Sequence, residues 1–208
     1  MKKTIGIRFG RVLLRVLAPF VFCLYPFKLI GKENVPKEEQ PLVVCSNHIS
    51  MMDPIFLMYA FKQPIYFMGK DSLFKNKIIG FILRSWFGVF PVTRGKGDQT
   101  AINKAFEVVE KGSALGIFPE GTRSKDGQLG QPKSGTAMII AKTQANVLPC
   151  AVFNKERTRL KRFHRTTVVV GKIMTPEELQ LTGEKPNIRH ASRTIMATIE
   201  SMIEENNV

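Results

Sequence analysis

From residue 42 onward, short apolar runs alternate with longer segments in which apolar residues recur at helical spacing. Runs this short are typical of buried strands, whereas the longer periodic segments are typical of amphipathic helices. Strands that alternate with helices favour an α/β fold, here a single domain in which helices flank a mixed, largely parallel sheet. The predicted strands are Leu42–Ser46, Ile65–Met68, Val89–Val92, Leu115–Phe118, Val147–Phe153 and Thr167–Val170. The predicted helices are Pro54–Phe61, Phe74–Trp86, the segment between Asp98 and Gly112, and Ile188–Ile203.

Two of these helices have clear signals in the sequence. Asp98 is suited to cap the N-terminus of the helix that follows it, and Gly112 stands where a glycine ends many helices. In the last helix, one stripe of apolar residues recurs at helical spacing: Ile188, Ala191, Ile195, Ile199 and Ile203.

Residues 1–31 differ in character from the rest of the chain. Their basic residues are accompanied by no acid and surround the apolar run Val16–Phe27. This run is too short for a transmembrane helix, which needs about 20 apolar residues, and Pro19 and Pro26 interrupt it. We therefore predict a helical, membrane-associating segment that lies in the interface or enters one leaflet, followed by a globular domain over residues 32–208. A signal peptide is disfavoured because no small-residue cleavage site follows, and an amphipathic helix packed on the core remains the alternative.

The chain is strongly basic. Its 208 residues include 31 Lys and Arg against 17 Asp and Glu, which gives a net charge of +14. Such a charge favours anionic partners, namely nucleic acid, acidic lipid headgroups or phosphorylated substrates. The 44% hydrophobic content excludes a disordered chain or a polytopic membrane protein. Three cysteines without CxxC spacing indicate neither a disulfide framework nor a zinc site, so a reducing compartment is expected.

A histidine and an aspartate follow the strand Leu42–Ser46. His48 stands directly beyond the strand in the segment NHISMMDP, and Asp53 stands just before a proline suited to open a helix. An imidazole takes a proton from a hydroxyl near neutral pH, and a carboxylate on its other nitrogen holds the required tautomer. If the turn folds back, the two residues form a general base and its orienting partner. Since no glycine elbow surrounds a nucleophile and no third ligand is near, we expect direct attack by a substrate hydroxyl and no metal site.

A second polar cluster, with the sequence FPEGTRS, follows the strand Leu115–Phe118. Its glycine allows a ligand to approach the backbone closely, and the guanidinium group of Arg123 matches phosphate oxygens. The hydroxyls of Thr122 and Ser124 add hydrogen-bond donors, so the cluster is suited to bind a phosphate group. Arg94 ends another strand, and Pro149 is expected to break the strand Val147–Phe153.

The order and spacing of these motifs resemble a known family. Four ordered blocks are similar to those of the glycerolipid acyltransferases, most closely the bacterial 1-acylglycerol-3-phosphate acyltransferases: Asn47-His48 with Asp53, then Arg94, then Phe118–Ser124, then Val147-Leu148-Pro149. The resemblance extends from about residue 30 to about residue 172. It identifies the domain over residues 32–208 as an acyltransferase domain.

The resemblance implies a reaction and roles for the residues that match. A fatty acyl group passes from an acyl thioester to the free sn-2 hydroxyl of 1-acyl-glycerol-3-phosphate, which gives phosphatidic acid. The resemblance implies that His48 deprotonates this hydroxyl, that Asp53 orients the imidazole and that Pro149 shapes the acyl-binding region. It also implies six residues that bind or position the phosphoglycerol: Arg94, Glu120, Gly121, Thr122, Arg123 and Ser124.

The resemblance also implies partners and a location. The acyl donor is a thioester of coenzyme A or of acyl carrier protein, which is a co-substrate, and no other cofactor is expected. Since the acceptor is a lysophospholipid, the protein is expected at the cytoplasmic face of the cell membrane as a peripheral or monotopic protein. Acylation of glycerol-3-phosphate or of another lysolipid remains the alternative, and a non-enzymatic protein that binds anionic membranes or nucleic acid is a more remote one. Nucleic acid is not an expected partner, because the blocks match no groove-reading or base-stacking motif.

Overall fold

Helices and strands alternate along the chain. The structure is a computed structural model that describes residues 2–93, 98–158 and 160–207. The strands are β1 (Phe27–Ile30), β2 (Leu42–Ser46), β3 (Ile65–Lys70), β4 (Val89–Val92), β5 (Ala114–Ile117), β6 (Asn146–Asn154) and β7 (Thr166–Val170). The α-helices are α1 (Lys2–Leu24), α2 (Asp53–Ala60), α3 (Lys77–Ser85), α4 (Gln99–Glu110), α5 (Gly135–Thr143) and α6 (Ile188–Asn206).

The strands form one sheet in the order β1-β7-β6-β2-β5-β3-β4. Neighbouring strands are parallel except β6 and β7, so β1 and β7 run opposite to the other five. At the centre of the sheet, Cys45 of β2 pairs with Ile117 of β5 on one side and with Pro149 of β6 on the other. The predicted α/β fold with a mixed, largely parallel sheet is therefore confirmed.

The sheet separates two hydrophobic cores, because successive side chains of a strand point to opposite faces. In β2, Leu42 and Val44 pack in the core that includes residues of α1, α2 and α3. Val43 and Cys45 pack in the core that includes residues of α4, α5 and α6. Every residue of β2 is buried, so the strand that leads to His48 is fixed on both faces.

Some predicted boundaries are confirmed and others differ for local reasons. Asp98 caps α4 as predicted, and Gly112 has the positive φ, 80°, expected of a residue just beyond a helix. The helix predicted from Phe74 begins instead at Lys77, because the side chain of Asn76 accepts hydrogen bonds from two backbone amides and caps it. Phe74 lies in a short 3-10 helix before that cap.

The break expected at Pro149 is wrong. Strand β6 continues through the proline from Asn146 to Asn154. Pro149 lies where the pairing of β6 with β7 ends, and its carbonyl oxygen accepts a hydrogen bond from the amide of Gly171. A strand tolerates proline where the missing N–H is not needed by a neighbouring strand.

Two elements, β1 and α5, are additional to those predicted. Residues 27–30 fall inside the predicted N-terminal segment, yet they pair with residues 166–169 of β7 and so belong to the sheet. Helix α5 begins at Gly135 and ends before Gln144, which has the left-handed conformation with φ 52°.

The N-terminal helix α1 packs against the domain along one face. Ile7, Leu14 and Ala18 on this face are buried. Arg11 donates a hydrogen bond of 3.2 Å to the carbonyl oxygen of Phe61, at the end of α2. Of the helices that the structure describes, none has both the length and the apolar character needed to cross a membrane. The predicted N-terminal helix is thus present, and its association with a membrane stays a prediction.

Candidate active site

Two loops meet at the edge of the sheet where β2 and β5 end. Because β2 and β5 are parallel neighbours, the segments that follow them leave the sheet at the same edge. The first segment carries His48 and Asp53, and the second carries the block Phe118–Ser124. The backbone amide of Ser124 donates a hydrogen bond of 2.8 Å to the carbonyl oxygen of His48, which joins the two loops.

Asp53 holds the imidazole of His48 at one ring nitrogen. His48 Nδ1 and Asp53 Oδ2 are 2.7 Å apart. The same oxygen accepts hydrogen bonds of 2.8 Å from the amides of Ile49 and Ser50, which folds the turn back at the start of α2. With Nδ1–H donated to the carboxylate, Nε2 is left to exchange a proton with a substrate. The structure thus brings the predicted base and its predicted orienting partner into contact.

The carboxylate of Asp53 is fully buried. Burial raises its pKa, and the hydrogen bonds from His48 and from two backbone amides oppose this rise. Its second oxygen, Oδ1, has no hydrogen-bond partner among the residues that the structure describes. An ionised carboxylate in such a low-dielectric site interacts strongly with an adjacent imidazolium.

Phe118 holds the imidazole on one face. Its ring stacks on that of His48 with the centroids 4.0 Å apart and the planes inclined by 15°. Phe67 of β3 stacks in turn on Phe118 at 5.9 Å. This stack limits rotation of the imidazole and places an aromatic face against the cation that forms when His48 takes up a proton. The sequence places Phe118 at the end of a strand and at the start of the FPEGTRS block, but predicts no contact of its ring with His48.

The side chain of Glu120 binds the backbone of the loop that carries His48. Its Oε1 accepts a hydrogen bond of 2.9 Å from the amide of His48, and its Oε2 accepts one of 2.9 Å from the amide of Gly130. The side chain is buried, and burial raises its pKa. Both carboxylate oxygens therefore contact the protein's own backbone, whereas the family resemblance implies that Glu120 binds or positions the phosphoglycerol.

Asn47 ties the start of the catalytic loop to β6. Its Nδ2 donates to the carbonyl oxygen of Val152 and its Oδ1 accepts from the amide of Val152, each at 2.7 Å. The backbone pairing of β2 with β6 ends at Ser46. The buried amide side chain thus replaces the next backbone partner and frees the chain to turn at His48. The sequence motifs predict no role for the side chain of Asn47, although its place beside His48 in the matching block is a signal.

The rest of the block forms a turn that reaches solvent. Gly121 has a φ of 71°, which favours glycine, and Thr122 and Arg123 are exposed. The guanidinium group of Arg123 forms no hydrogen bond or ion pair with any residue that the structure describes. Ser124 Oγ donates to Asp126 Oδ1 at 2.9 Å and accepts from the amide of Gly127 at 2.8 Å, so it shapes the turn.

Lys133 is a further cation at this turn. A Cβ atom built on Gly121 would lie 2.8 Å from Lys133 Nζ, so glycine leaves room for the lysine side chain there. The amide of Lys133 donates to the carbonyl oxygen of Pro119 at 2.9 Å, which anchors it to the same loop. The sequence motifs do not include this lysine in the predicted site.

The sequence predicts two further site residues, Arg94 and Pro149. Arg94 lies outside the described residues. Pro149 lies inside β6, paired with Cys45 of β2, the strand that leads to His48. The structure thus places Pro149 one strand away from the catalytic loop, within the sheet.

Comparison with known proteins decides the family. The family model described as Acyltransferase matches residues 26–153, more than half of the chain. The chain belongs to the acyltransferase family. The matched range contains His48, Asp53, Glu120, Arg123 and Pro149, and the resemblance drawn from the sequence motifs is confirmed at the level of the family.

Individual relatives of this acyltransferase come from bacteria and plants. A 1-acyl-sn-glycerol-3-phosphate acyltransferase from Borreliella burgdorferi is 30% identical over 157 residues, which cover 74% of this chain and 62% of the relative. The chloroplastic 1-acyl-sn-glycerol-3-phosphate acyltransferase BAT2 from Brassica napus is 38% identical over 131 residues, which cover 61% of this chain and 38% of the relative. The chain thus matches less than two thirds of the length of either relative.

A solved structure shares the fold of this acyltransferase. The crystal structure of the 1-acyl-sn-glycerophosphate acyltransferase PlsC from Thermotoga maritima superposes with a TM-score of 0.75 at 20% sequence identity. The superposition covers 96% of this chain and 78% of that chain.

Proposed function

We propose that this acyltransferase transfers a fatty acyl group from an acyl thioester to the free sn-2 hydroxyl of 1-acyl-glycerol-3-phosphate and so makes phosphatidic acid for phospholipid synthesis. The observation that carries the proposal is the buried 2.7 Å contact between His48 Nδ1 and Asp53 Oδ2, next to the turn that carries Arg123. The names of the relatives from Borreliella burgdorferi and Brassica napus support this acceptor.

In the proposed reaction, His48 is the general base. Its Nε2 takes the proton of the acceptor hydroxyl while the hydroxyl oxygen attacks the carbonyl carbon of the thioester. The new C–O bond forms, the tetrahedral intermediate collapses and the C–S bond breaks. The imidazolium returns the proton to the departing thiolate, which regenerates the base. Asp53 keeps Nδ1 protonated throughout and stabilises the imidazolium, and no acyl-enzyme is required.

The phosphate of the acceptor is assigned to the turn that follows β5. The exposed guanidinium group of Arg123 offers a planar set of donors that matches phosphate oxygens. Four other residues are proposed to bind or position the same group: Arg94, Gly121, Thr122 and Ser124. For Glu120 we propose a positioning role in place of direct substrate contact, because the amides of His48 and Gly130 occupy its two oxygens.

The acyl donor is proposed to be a thioester of coenzyme A or of acyl carrier protein, with no other cofactor. Both donors present the same thioester carbon to the hydroxyl, so one general base serves either of them. Pro149 is proposed to shape the region that receives the acyl chain, since it lies in the strand next to β2.

We also propose that the protein works at the cytoplasmic face of the cell membrane, as a peripheral or monotopic protein. The net charge of +14 supports this location, because each basic residue near an anionic lipid surface contributes about 1 kcal/mol. The outward face of α1 supports it too, since that face carries exposed large apolar side chains.

The experiment that tests the proposed function is a comparison of acceptors. Radiolabelled acyl-CoA is supplied with lysophosphatidic acid, glycerol-3-phosphate or lysophosphatidylcholine, and the products are separated. We expect labelled phosphatidic acid from the first acceptor at the highest kcat/KM. Preferred acylation of either other acceptor would replace the proposed substrate, and no product with acyl-CoA or acyl carrier protein as donor would overturn the reaction.

A further inference from the structure

Helix α3 exposes large apolar side chains that no described element covers. Ile78 and Phe81 are 73% and 60% exposed, and Ile79 beside them is 49% exposed. Only Gly80 of this helix is buried. Scattered single apolar residues are common at protein surfaces. A group of three on a helix of nine residues instead indicates a surface that contacts a membrane or another protein.

This face adjoins the exposed apolar face of α1. A Cβ atom on Gly6 of α1 would lie 2.6 Å from the carbonyl oxygen of Ser85, and one on Gly10 would lie 2.2 Å from that of Trp86. The two glycines therefore allow the backbone of α1 to pack directly against the C-terminal end of α3. At the junction, Phe9 meets Trp86 edge to face at 5.3 Å. Five exposed large apolar residues of α1 recur along one stripe: Ile5, Phe9, Val12, Val16 and Phe20.

The charges around the α3 face are positive. Lys70, Lys75 and Lys77 are exposed, against the single acid Asp71 between residues 70 and 85. On α1, the exposed Arg8 is among the basic residues of a segment that contains no acid. Apolar side chains flanked by lysine and arginine complement a bilayer that contains anionic lipid, in which acyl chains lie beneath negative headgroups.

The α3 face also lies near the catalytic edge of the sheet. Strand β3 runs parallel to β5 and β2, so it ends at the edge where the loop of His48 begins. Lys70 is the last residue of β3, and a short 3-10 helix connects it to α3. The N-terminal end of α3 is therefore at the side of the molecule on which a lipid acceptor must arrive.

We propose that the outward face of α3 is a second bilayer-inserting surface, continuous with that of α1, which sets the catalytic edge against an anionic phospholipid monolayer. Ile78 and Phe81 enter the acyl-chain region, and the lysines before them bind headgroup phosphates. This inference rests on the proposed function, because a bilayer-resident acceptor gives the orientation its purpose.

A single-tryptophan variant tests insertion directly. The chain contains one tryptophan, Trp86, so a protein with Trp86→Phe and Phe81→Trp carries its only indole on the outward face of α3. We expect its emission to shift to the blue and to be quenched severalfold by vesicles of phosphatidylglycerol brominated in the acyl chains. The matched control places tryptophan at Met138, which is 49% exposed on α5, in the same background. Equal emission with and without brominated lipid at position 81 would overturn the proposal.

Variants that place a charge on the apolar face test its energetic contribution to binding. The double variant Ile78→Glu with Phe81→Glu should bind anionic vesicles about tenfold or more weakly, since two large apolar side chains no longer leave water. Met138→Glu should bind like wild type. Unchanged vesicle affinity of the double variant would contradict the proposal. A second contradicting result would be that, without lipid, the wild-type protein sediments as a dimer and the double variant as a monomer.

An assay without a bilayer separates this inference from the proposed function. With a short-chain lysophosphatidic acid below its micelle concentration, the double variant should turn over like wild type, and with vesicle-borne acceptor it should be slower. If wild type fails with both acceptors, the proposed function fails, while quenching at position 81 still decides whether α3 inserts.

Discussion

His48 is held from three sides by residues that need not touch a substrate. Asp53 binds its Nδ1, Phe118 stacks on its ring and Glu120 accepts its backbone amide. Catalytic groups lose much of their effect when displaced by about 1 Å, so such supports are expected to affect turnover more than substrate affinity.

Glu120 gives the sharpest test of this arrangement. In Glu120→Gln one side-chain oxygen is replaced by an amide group, which cannot accept a hydrogen bond from a backbone N–H. We expect kcat to fall about 10- to 100-fold with little change in the KM for lysophosphatidic acid. Glu107→Gln on α4, a partly exposed glutamate paired with Lys104 and Lys111, is the matched control and should leave both constants unchanged. A rise in KM at constant kcat would restore the substrate-binding role.

The raised pKa of Glu120 predicts a pH dependence of stability. Because burial raises the pKa in the folded state, the folded protein holds this proton more tightly than the unfolded chain does. The protonated Glu120 side chain therefore contributes to the free energy of unfolding. This contribution is complete below the unfolded-state pKa, about 4.3, and is lost as the pH rises through the folded-state pKa. The unfolding free energy of wild type relative to Glu120→Gln should therefore fall from about pH 4.3 upward, as measured by urea denaturation. A difference that grows with pH would contradict the assignment.

Arg123 is expected to show the opposite kinetic signature. A hydrogen bond to a charged group contributes about 1.5–3 kcal/mol, so Arg123→Ala should raise the KM for lysophosphatidic acid roughly 10- to 150-fold. The exposed Arg193 of α6 provides the control, since Arg193→Ala removes the same charge from another element. Steady-state kinetics in which Arg123→Ala lowers kcat alone would assign this arginine to the transition state.

The sequence predicts part of this site because some contacts are local. His48 and Asp53 are five positions apart across a helix start, so one turn brings them together. Glu120 and His48 are 72 positions apart, and their contact depends on β2 and β5 being neighbours in the sheet. A motif alone shows that Glu120 is present but cannot show that it binds the protein's own backbone.

At the scale of elements, the strands that line the site are predictable from the sequence, whereas β1 and α5 are not. Strand β2 is a continuous apolar run buried on both faces, which is a strong signal. Strand β1 is short, contains Lys28 and is defined by pairing with β7, far along the chain. Helix α5 has no side-chain cap at Ser134 and ends at a left-handed glutamine, so the usual boundary signals are missing.

The close packing of α1 on α3 gives a prediction at this scale. Gly10→Ala would bring Cβ to 2.2 Å from the carbonyl oxygen of Trp86, so the helices must separate. Gly135→Ala is the control, because a Cβ there meets no atom within 4 Å. We expect a lower melting temperature by calorimetry for Gly10→Ala and little change for Gly135→Ala. Equal melting temperatures for all three proteins would show that the α1 contact contributes nothing to stability.

At the scale of the molecule, the fold changes how membrane association must be tested. Removing residues 1–30 would delete β1 and the buried Leu14 along with the outward face of α1. If the deletion variant no longer bound membranes, the cause could be an unfolded domain as well as a missing membrane anchor. Substitutions on the exposed faces of α1 and α3 are therefore the better experiment.

The net charge predicts which bilayers the protein prefers. With a charge of +14, vesicles that contain phosphatidylglycerol should bind more tightly than vesicles of phosphatidylcholine alone. This preference should shrink between 0.05 and 0.5 M salt, because the Debye length falls well below about 10 Å over that range. Co-sedimentation with the two kinds of vesicle measures it, and equal affinity at low salt would contradict an electrostatic contribution.

The most direct test of the central claim is acyl transfer to lysophosphatidic acid by His48→Ala. General-base catalysis increases a reaction rate by about 10²- to 10⁴-fold. The rate at which His48→Ala forms labelled phosphatidic acid should therefore fall by about 10²-fold or more, while its melting temperature is unchanged. The exposed His164 is the control, and His164→Ala should keep wild-type turnover. A folded His48→Ala protein that makes phosphatidic acid at near the wild-type rate would contradict the account.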